Sequence, residues 1–364
     1  MKIEYQMGVI ASYKAFYEYG YFGWPSVTKL EDGTLVAGVS GLRRHHVCND
    51  GKILLYYGNS DGTKWSCPRI VEDSQIDDRD TGVLCIKGND ILVSWFTGQH
   101  FYANWENDEK TNKAVSFWSK EKFDYYNGSY VKISKNDGEE FSENIRVNVT
   151  TPHGPIKLKS GALIYLGNTF VKAKKAPEIK AIRSDDNGYT WYDLGSIPYN
   201  SAEQFVHKAY HEPHVIELSE NELFAVIRDQ STYKETGKVF RVIYSNSHDN
   251  GKTWDDPQSL NIEGSPPHLL MHSSGALICT YGFRELDFVK EKNSGSGQRA
   301  IISYDKGRTW SKPYIISDHI GTYDLGYPCT VELNDGSLYT VYYQRESNKH
   351  HPGLLYSKWK LPKV

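Results

Sequence analysis

The sequence predicts an all-β chain folded as a six-bladed β-propeller closed by its own N-terminal strand. Three observations carry that expectation. The 364 residues include 27 Tyr, 9 Trp, 13 Phe and 31 Gly, and aromatic residues favour strands while glycine favours turns. A two-strand unit recurs six times along the chain. A second motif, built on Ser, Asp, Gly and Trp, recurs between those units.

In chain order the units read apolar strand, polar turn, apolar strand. They are WPSVTKLEDGTLVAGV from Trp24, DTGVLCIKGNDILVSW from Asp80, PHGPIKLKSGALIYLG from Pro152, EPHVIELSENELFAVI from Glu212, PPHLLMHSSGALICTY from Pro266 and YPCTVELNDGSLYTVY from Tyr327. Successive starts lie 54 to 72 residues apart, which suits blades made of short strands. Only 37 residues follow Tyr327, too few for a four-stranded blade. The strand-like first twenty residues are therefore expected to supply the outer strand of the last blade and leave no open edge. No Pro- or Ser-rich linker divides the chain, so residues 1–364 read as one domain. Tyr102–Lys122 and Lys290–Gly297 read as exposed insertions.

The second motif is S-x-D-x-G-x-T-W. SDDNGYTW (184–191), SHDNGKTW (247–254) and SYDKGRTW (303–310) fit it fully, while SKNDGEEF (134–141) and NSDGTKW (59–65) are decayed copies. The chemistry is that of a hairpin turn. Asp186, Asp249 and Asp305 are expected to fold back onto backbone N–H groups, each Gly to take a positive φ, and each Trp to pin its turn to the blade.

Composition removes several function classes. Lys and Arg total 42 against 45 Asp and Glu, a net charge of -3, which argues against a nucleic-acid partner. No run of about 18 apolar residues could span a membrane. The first twenty residues carry no apolar leader, so a cytoplasmic location is expected unless a signal segment has been removed. The five cysteines form no CxxC pair and read as reduced thiols, mostly in the core. No nucleotide-binding glycine motif appears, and the SGSG run at 294–297 opens no strand-to-helix turn, so no cofactor is expected. Neither is a metal: on a strand, His45 and His46 would face opposite ways and could not chelate together.

In a propeller the first strand of each blade lines the axis. The residues opening the six units should therefore converge: Gly23 and Trp24, Asp80, His153, Glu212 with His211 and His214, His268, and Tyr327. Carboxylates, imidazoles and a phenol meeting in one place suit acid–base chemistry. The run Asp77–Asp78–Arg79–Asp80 reads in two ways, as a solvated charge cluster or, for Asp80, as part of this ring.

The S-x-D-x-G-x-T-W motifs resemble the Asp boxes, or BNR repeats, of the sialidase superfamily, and the resemblance covers nearly the whole chain. It implies an active centre on the axis, opposite the Asp-box face, and a glycan or oligosaccharide substrate. It also implies a tyrosine nucleophile at a fixed distance before a turn Asp-Gly, where Tyr327 stands before Asp335-Gly336. The family's partner Glu, with an Arg sixteen residues on, matches Glu212 and Arg228. A further substrate-binding Arg falls on Arg299, with Arg284 in reserve, and the acid/base Asp falls on Asp50. The chain also departs from the family. Where the family opens blade one with Arg-Ile-Pro, this chain has Gly23-Trp24-Pro25. The Glu that orients that Arg is replaced by Tyr343 and Gln344. Histidines 45, 46, 153, 214 and 268 populate the axis instead.

A tyrosine nucleophile needs an acceptor for its proton, because an ordinary phenol titrates near 10. Glu212 fills that role, while Arg228 with Arg299 or Arg284 would pair an anionic substrate. The general acid is open among Asp50, Asp80, His45 and His46. These residues suit a sialidase-like exo-glycosidase acting on a terminal acidic sugar, sialic-acid-like or uronic. Elimination at a uronate and carbohydrate binding without catalysis are the two rivals.

Overall fold

A computed structural model describes residues 3–74, 76–98, 118–169, 178–199, 210–230, 240–284, 295–318 and 324–362. They form six antiparallel sheets, the blades of a β-propeller. Strand β1 is Tyr5–Ala11. Blade one comprises β2 (Tyr21–Lys29), β3 (Leu35–Arg43), β4 (Lys52–Gly58) and β5 (Arg69–Glu72). Blade two holds β6 (Asp78–Lys87), β7 (Asp90–Thr97), β8 (Gly128–Ser134) and β9 (Ile145–Val147). Blade three follows with β10 (Val149–Thr150), β11 (Ile156–Lys157), β12 (Leu163–Thr169), β13 (Ile179–Ser184) and β14 (Tyr192–Ile197). Blade four is β15 (Tyr210–Ser219), β16 (Glu222–Asp229), β17 (Arg241–Ser247) and β18 (Gln258–Glu263). Blade five is β19 (Pro267–Met271), β20 (Leu277–Phe283), β21 (Gly297–Ser303) and β22 (Tyr314–Asp318). Blade six is β23 (Gly326–Glu332), β24 (Leu338–Arg345) and β25 (Pro352–Trp359).

The last blade is completed as expected: β1 pairs antiparallel with β25, from Tyr5 opposite Trp359 to Ala11 opposite Leu354. The ring therefore has no free seam. Between adjacent blades lie six apolar cores. Blades three and four share Ile164, Leu166, Val215 and Ala225, and blades six and one share Val27, Leu35, Tyr339 and Val341. Alternating side chains on each strand feed the cores on either side, so every sheet is packed on both faces.

Two expectations need correction. The inner strand of blade three is broken: β10 and β11 flank 151–155, where Pro152 and Pro155 donate no ladder hydrogen bond and Gly154 has φ +72°. Gly154 and Gly82 meet there, and a Cβ on Gly82 would lie 2.5 Å from the Gly154 Cα. The end of the run read as an insertion, Ser296 and Gly297, is buried where β21 begins, while residues 290–294 fall outside the described residues. Of the other, residues 118–122 are described, and they lead into the only helix among the described residues, α1 (Lys120–Tyr126), capped by Ser119.

The Asp boxes join the third and fourth strands of blades three, four and five. In each, the Asp carboxylate accepts from the Thr backbone N–H and hydroxyl, as in Thr190 to Asp186 at 2.9 and 2.6 Å. The Ser hydroxyl accepts from the Gly N–H (Gly188 to Ser184, 2.8 Å), and the Trp indole donates to the Gly carbonyl (Trp191 to Gly188, 2.8 Å). The residue before each Gly is also left-handed, with φ 62° at Asn187, 59° at Asn250 and 59° at Lys306. The five cysteines are free thiols, with Cys48, Cys279 and Cys329 buried.

Candidate active site

The first strand of each blade begins at the ring face opposite the Asp boxes, and four blades begin with the same backbone device. Trp24, Asp80, Glu212 and Tyr327 have φ of 56°, 58°, 50° and 55°, a region that non-glycine residues seldom occupy. Each sits in a register shift: between Gly23 and Ser26, Arg79 and Gly82, His211 and His214, and Gly326 and Cys329. A bulge with a left-handed residue re-aims a side chain out of the strand's alternation. Repeated around the ring, it gathers four openers at the axis.

Their contacts show the gathering. The Tyr327 hydroxyl donates to Glu212 Oε1, and Arg228 Nη1 donates to Glu212 Oε2 at 2.6 Å. With its amide oxygen turned toward Arg228, Gln230 accepts from Nε at 2.9 Å and Nη2 at 2.5 Å. Phe240 lies under the same guanidinium, 3.9 Å from its ring centre. Burial pushes the Glu212 carboxyl up, but the Arg228 charge and the hydrogen bonds from Arg228 and Tyr327 outweigh it and hold the group below its ordinary range. Burial, reinforced by the Glu212 charge, drives the Tyr327 phenol well above 10 against the pull of Arg228. At rest, then, the tyrosine carries the proton and the glutamate is its charged acceptor.

Asp80 faces the same centre and is buried. Burial raises its carboxyl to about 7; Glu212 and Asp77 add to the rise, while Arg79 and Arg43 oppose it. The rest of its run is buried too, correcting the solvated-cluster reading. Asp78 accepts from Ser74 and Thr97, and Asp77 binds Arg43 through both oxygens at 2.5 and 3.0 Å.

Trp24, also buried, packs with Tyr21, Tyr327 and Tyr343. His46 meets its ring edge-on at 5.0 Å. Sequence reasoning missed Asp324, whose Oδ1 is bonded by the Tyr21 hydroxyl, the Tyr343 hydroxyl and His46 Nδ1, each at 3.1 Å. Tyr343, the replacement for the family's orienting Glu, thus holds a carboxylate from another segment. Asp324 lies ahead of the repeat that opens blade six, and no motif marks it.

The remaining expected residues are placed differently. His153, His214 and His268 cluster with one another, ring centres 4.3 to 5.5 Å apart, one step beyond the openers. His214 Nδ1 accepts from the Leu269 N–H at 3.1 Å, and His268 Nε2 lies 3.3 Å from Cys329 Sγ. Burial holds His214 down to about 3 and the other two well below 6.5. Neutral imidazoles that plug the axis fit these data better than a role beside Tyr327. Asp50 is ion-paired with Arg44 inside its own loop, and His45 is exposed. Arg284 donates to the Ser265 carbonyl at 2.8 Å and to the Leu325 carbonyl. Arg299 sits on the third strand of its blade, donating to the carbonyls of Gln298, Ser317 and Gly295. It lines a groove of about 1120 Å³ with Tyr244, Phe283 and Trp310.

The fold defines a six-bladed propeller built on BNR repeats. The family model for the BNR repeat-like domain matches residues 33–339, and the chain belongs to that family. A search of curated proteins returns no match. Among solved structures, a Dyadobacter fermentans protein of unknown function is similar at 17% identity and TM-score 0.73, covering 98% of this chain and 99% of that one. The NanB sialidase of Streptococcus pneumoniae is similar at 17% identity and TM-score 0.67, over 98% of this chain and 70% of that one. The intramolecular trans-sialidase of Ruminococcus gnavus is similar at 14% identity and TM-score 0.66, over 97% and 99%. At these identities the likeness speaks to the fold.

Proposed function

We propose that this chain is a glycoside hydrolase that removes a terminal acidic sugar from a glycan. The observation that carries this reading is the hydrogen-bonded series Tyr327–Glu212–Arg228 across two blades. Glu212 accepts the phenolic proton as the Tyr327 oxygen bonds to the anomeric carbon. Asp80 gives its proton to the departing glycosidic oxygen, for which a carboxyl titrating near 7 is suited. Water then releases the sugar, with Asp80 taking a proton from it and Tyr327 recovering its own from Glu212. A phenolate spares an anionic sugar the repulsion that a carboxylate nucleophile would impose.

The test is product analysis with 4-methylumbelliferyl glycosides of N-acetylneuraminic acid and glucuronic acid, and with uronate-containing oligosaccharides. Release of a free acidic sugar, lost in Tyr327→Phe, supports the reading. An unsaturated product absorbing in the ultraviolet would replace it with elimination. Binding without turnover would make the chain a lectin.

A further inference from the structure

Resting on that reading, we propose that Arg79 binds the carboxylate of the acidic sugar, taking over the work of the arginine that Gly23 replaces. The guanidinium of Arg79 lies 3.9 Å from the centre of the Trp24 ring. Trp24 is the residue next to Gly23, so the cation returns to the same corner of the axis from a different blade. Arg79 directly precedes Asp80, the opener of blade two, and only 6% of its surface is exposed.

What sets Arg79 apart is the state of its donors. The other arginines considered for the site or its surroundings are committed. Arg43 is held by Asp77, Arg44 by Asp50, Arg228 by Glu212 and Gln230. Arg284 and Arg299 are spent on backbone carbonyls. Among the described residues Arg79 donates no hydrogen bond, and its enclosed Nε meets no partner there. Its nearest carboxylate oxygen, Asp77 Oδ2, lies at 3.9 Å and already accepts from Arg43 at 3.0 Å. A buried guanidinium with its fork unfilled is costly unless an anion completes it. Trp24 contributes a π face that tolerates the charge but leaves the in-plane N–H groups free. Those N–H groups match a carboxylate, which accepts two parallel bonds.

The cation also bears on groups that face the opening. Its charge is felt at Asp80 and at His46, and about half of the His46 side chain is open to solvent. Asp324, bonded to His46, adds a carboxylate at the mouth. A ligand carboxylate set on Arg79 would thus lie beside the proposed acid, Asp80.

The experiment compares free acids with their methyl esters. Binding of 2,3-didehydro-N-acetylneuraminic acid and of glucuronic acid, each with its methyl ester, is measured by calorimetry on the wild-type chain, Arg79→Met and Arg79→Lys. Thermal midpoints confirm that the variants fold. Wild type should prefer one acid over its ester by roughly 10- to 100-fold, the worth of a charge-assisted hydrogen bond. Arg79→Met should erase that preference with little change in ester affinity, and Arg79→Lys should retain part of it. If Arg79→Met fails to fold, Arg79→Lys keeping the whole preference overturns the proposal. A preference intact in a folded Arg79→Met overturns it too, while leaving the acidic-sugar reading standing. Binding of neither acid by wild type overturns both.

Discussion

The hydroxyl of Tyr327 donates to the carboxylate of Glu212, a residue 115 positions away that opens a different blade. Neither group has its usual character. The phenol is held neutral by burial, and the carboxylate is held charged, against burial, by Arg228. In the proposed hydrolase the pair would act as one proton-transfer unit, and its members should fail together.

Tyr327→Phe removes one hydroxyl from a ring that stays packed against Trp24 and Tyr343. Turnover of an acidic glycoside should fall by about 10²-fold or more. Glu212→Gln should fall similarly, and the double variant should lose little beyond either single change. Additive losses in kcat would show that the two act separately.

Under the proposed mechanism, Asp80 should tie pH to both rate and stability. Its carboxyl titrates near 7 in the folded chain against about 4 when unfolded. The folded state therefore binds the proton more tightly. Its burden is absent below about pH 4, grows as pH rises toward 7, and is full above that. Asp80→Asn should raise the thermal midpoint at pH 8 and leave it unchanged near pH 3.5. The wild-type rate should decline as pH rises through about 7, and a profile flat from pH 5 to 9 would remove Asp80 from the acid role.

Arg228→Met strips Glu212 of its counter-charge while preserving much of the bulk. The carboxyl should then titrate higher, and the acid limb of the pH–rate profile should move upward. Loss of one partner of a buried pair typically costs about 3–5 kcal/mol, so denaturant unfolding should register it as well. An unmoved acid limb in a folded variant would separate Arg228 from Glu212.

The Asp boxes should answer to stability alone. Trp254 is 9% exposed and belongs to the core between blades three and four. Trp254→Ala should destabilise by about 3–5 kcal/mol, whereas the half-buried Trp191 should cost less. Both variants should keep the wild-type kcat below their melting points. A kcat loss without a change of midpoint would contradict this division.

Blade number and the Asp-box turns were legible because each repeats, closure because too few residues follow Tyr327 to finish a blade, and the phase of the repeat located the openers Trp24, Asp80, Glu212 and Tyr327. Phase could not separate successive axial layers. His214 follows the left-handed opener of blade four, and His268 lies on a strand whose opening carries no such bulge, so both turn to each other instead of joining Tyr327. Arg79 and Asp77 were hidden in a charge run whose burial depends on partners elsewhere: Trp24 for one and Arg43 for the other. Asp324 stands outside every repeat, and its role arises only where Tyr21, Tyr343 and His46 meet.

The pairing of β1 with β25 sets an order on the making of the site. Strand β1 precedes blades one to five in the chain, so its partner β25 is made only after all of them. Tyr327 sits on β23, in that same closing blade. Five blades can assemble as they are synthesised, but the phenol reaches Glu212 only when the sixth is in place. Until that blade docks, the ring would hold Glu212 without Tyr327, so the pair on which the proposed chemistry rests is a late-formed part of the site.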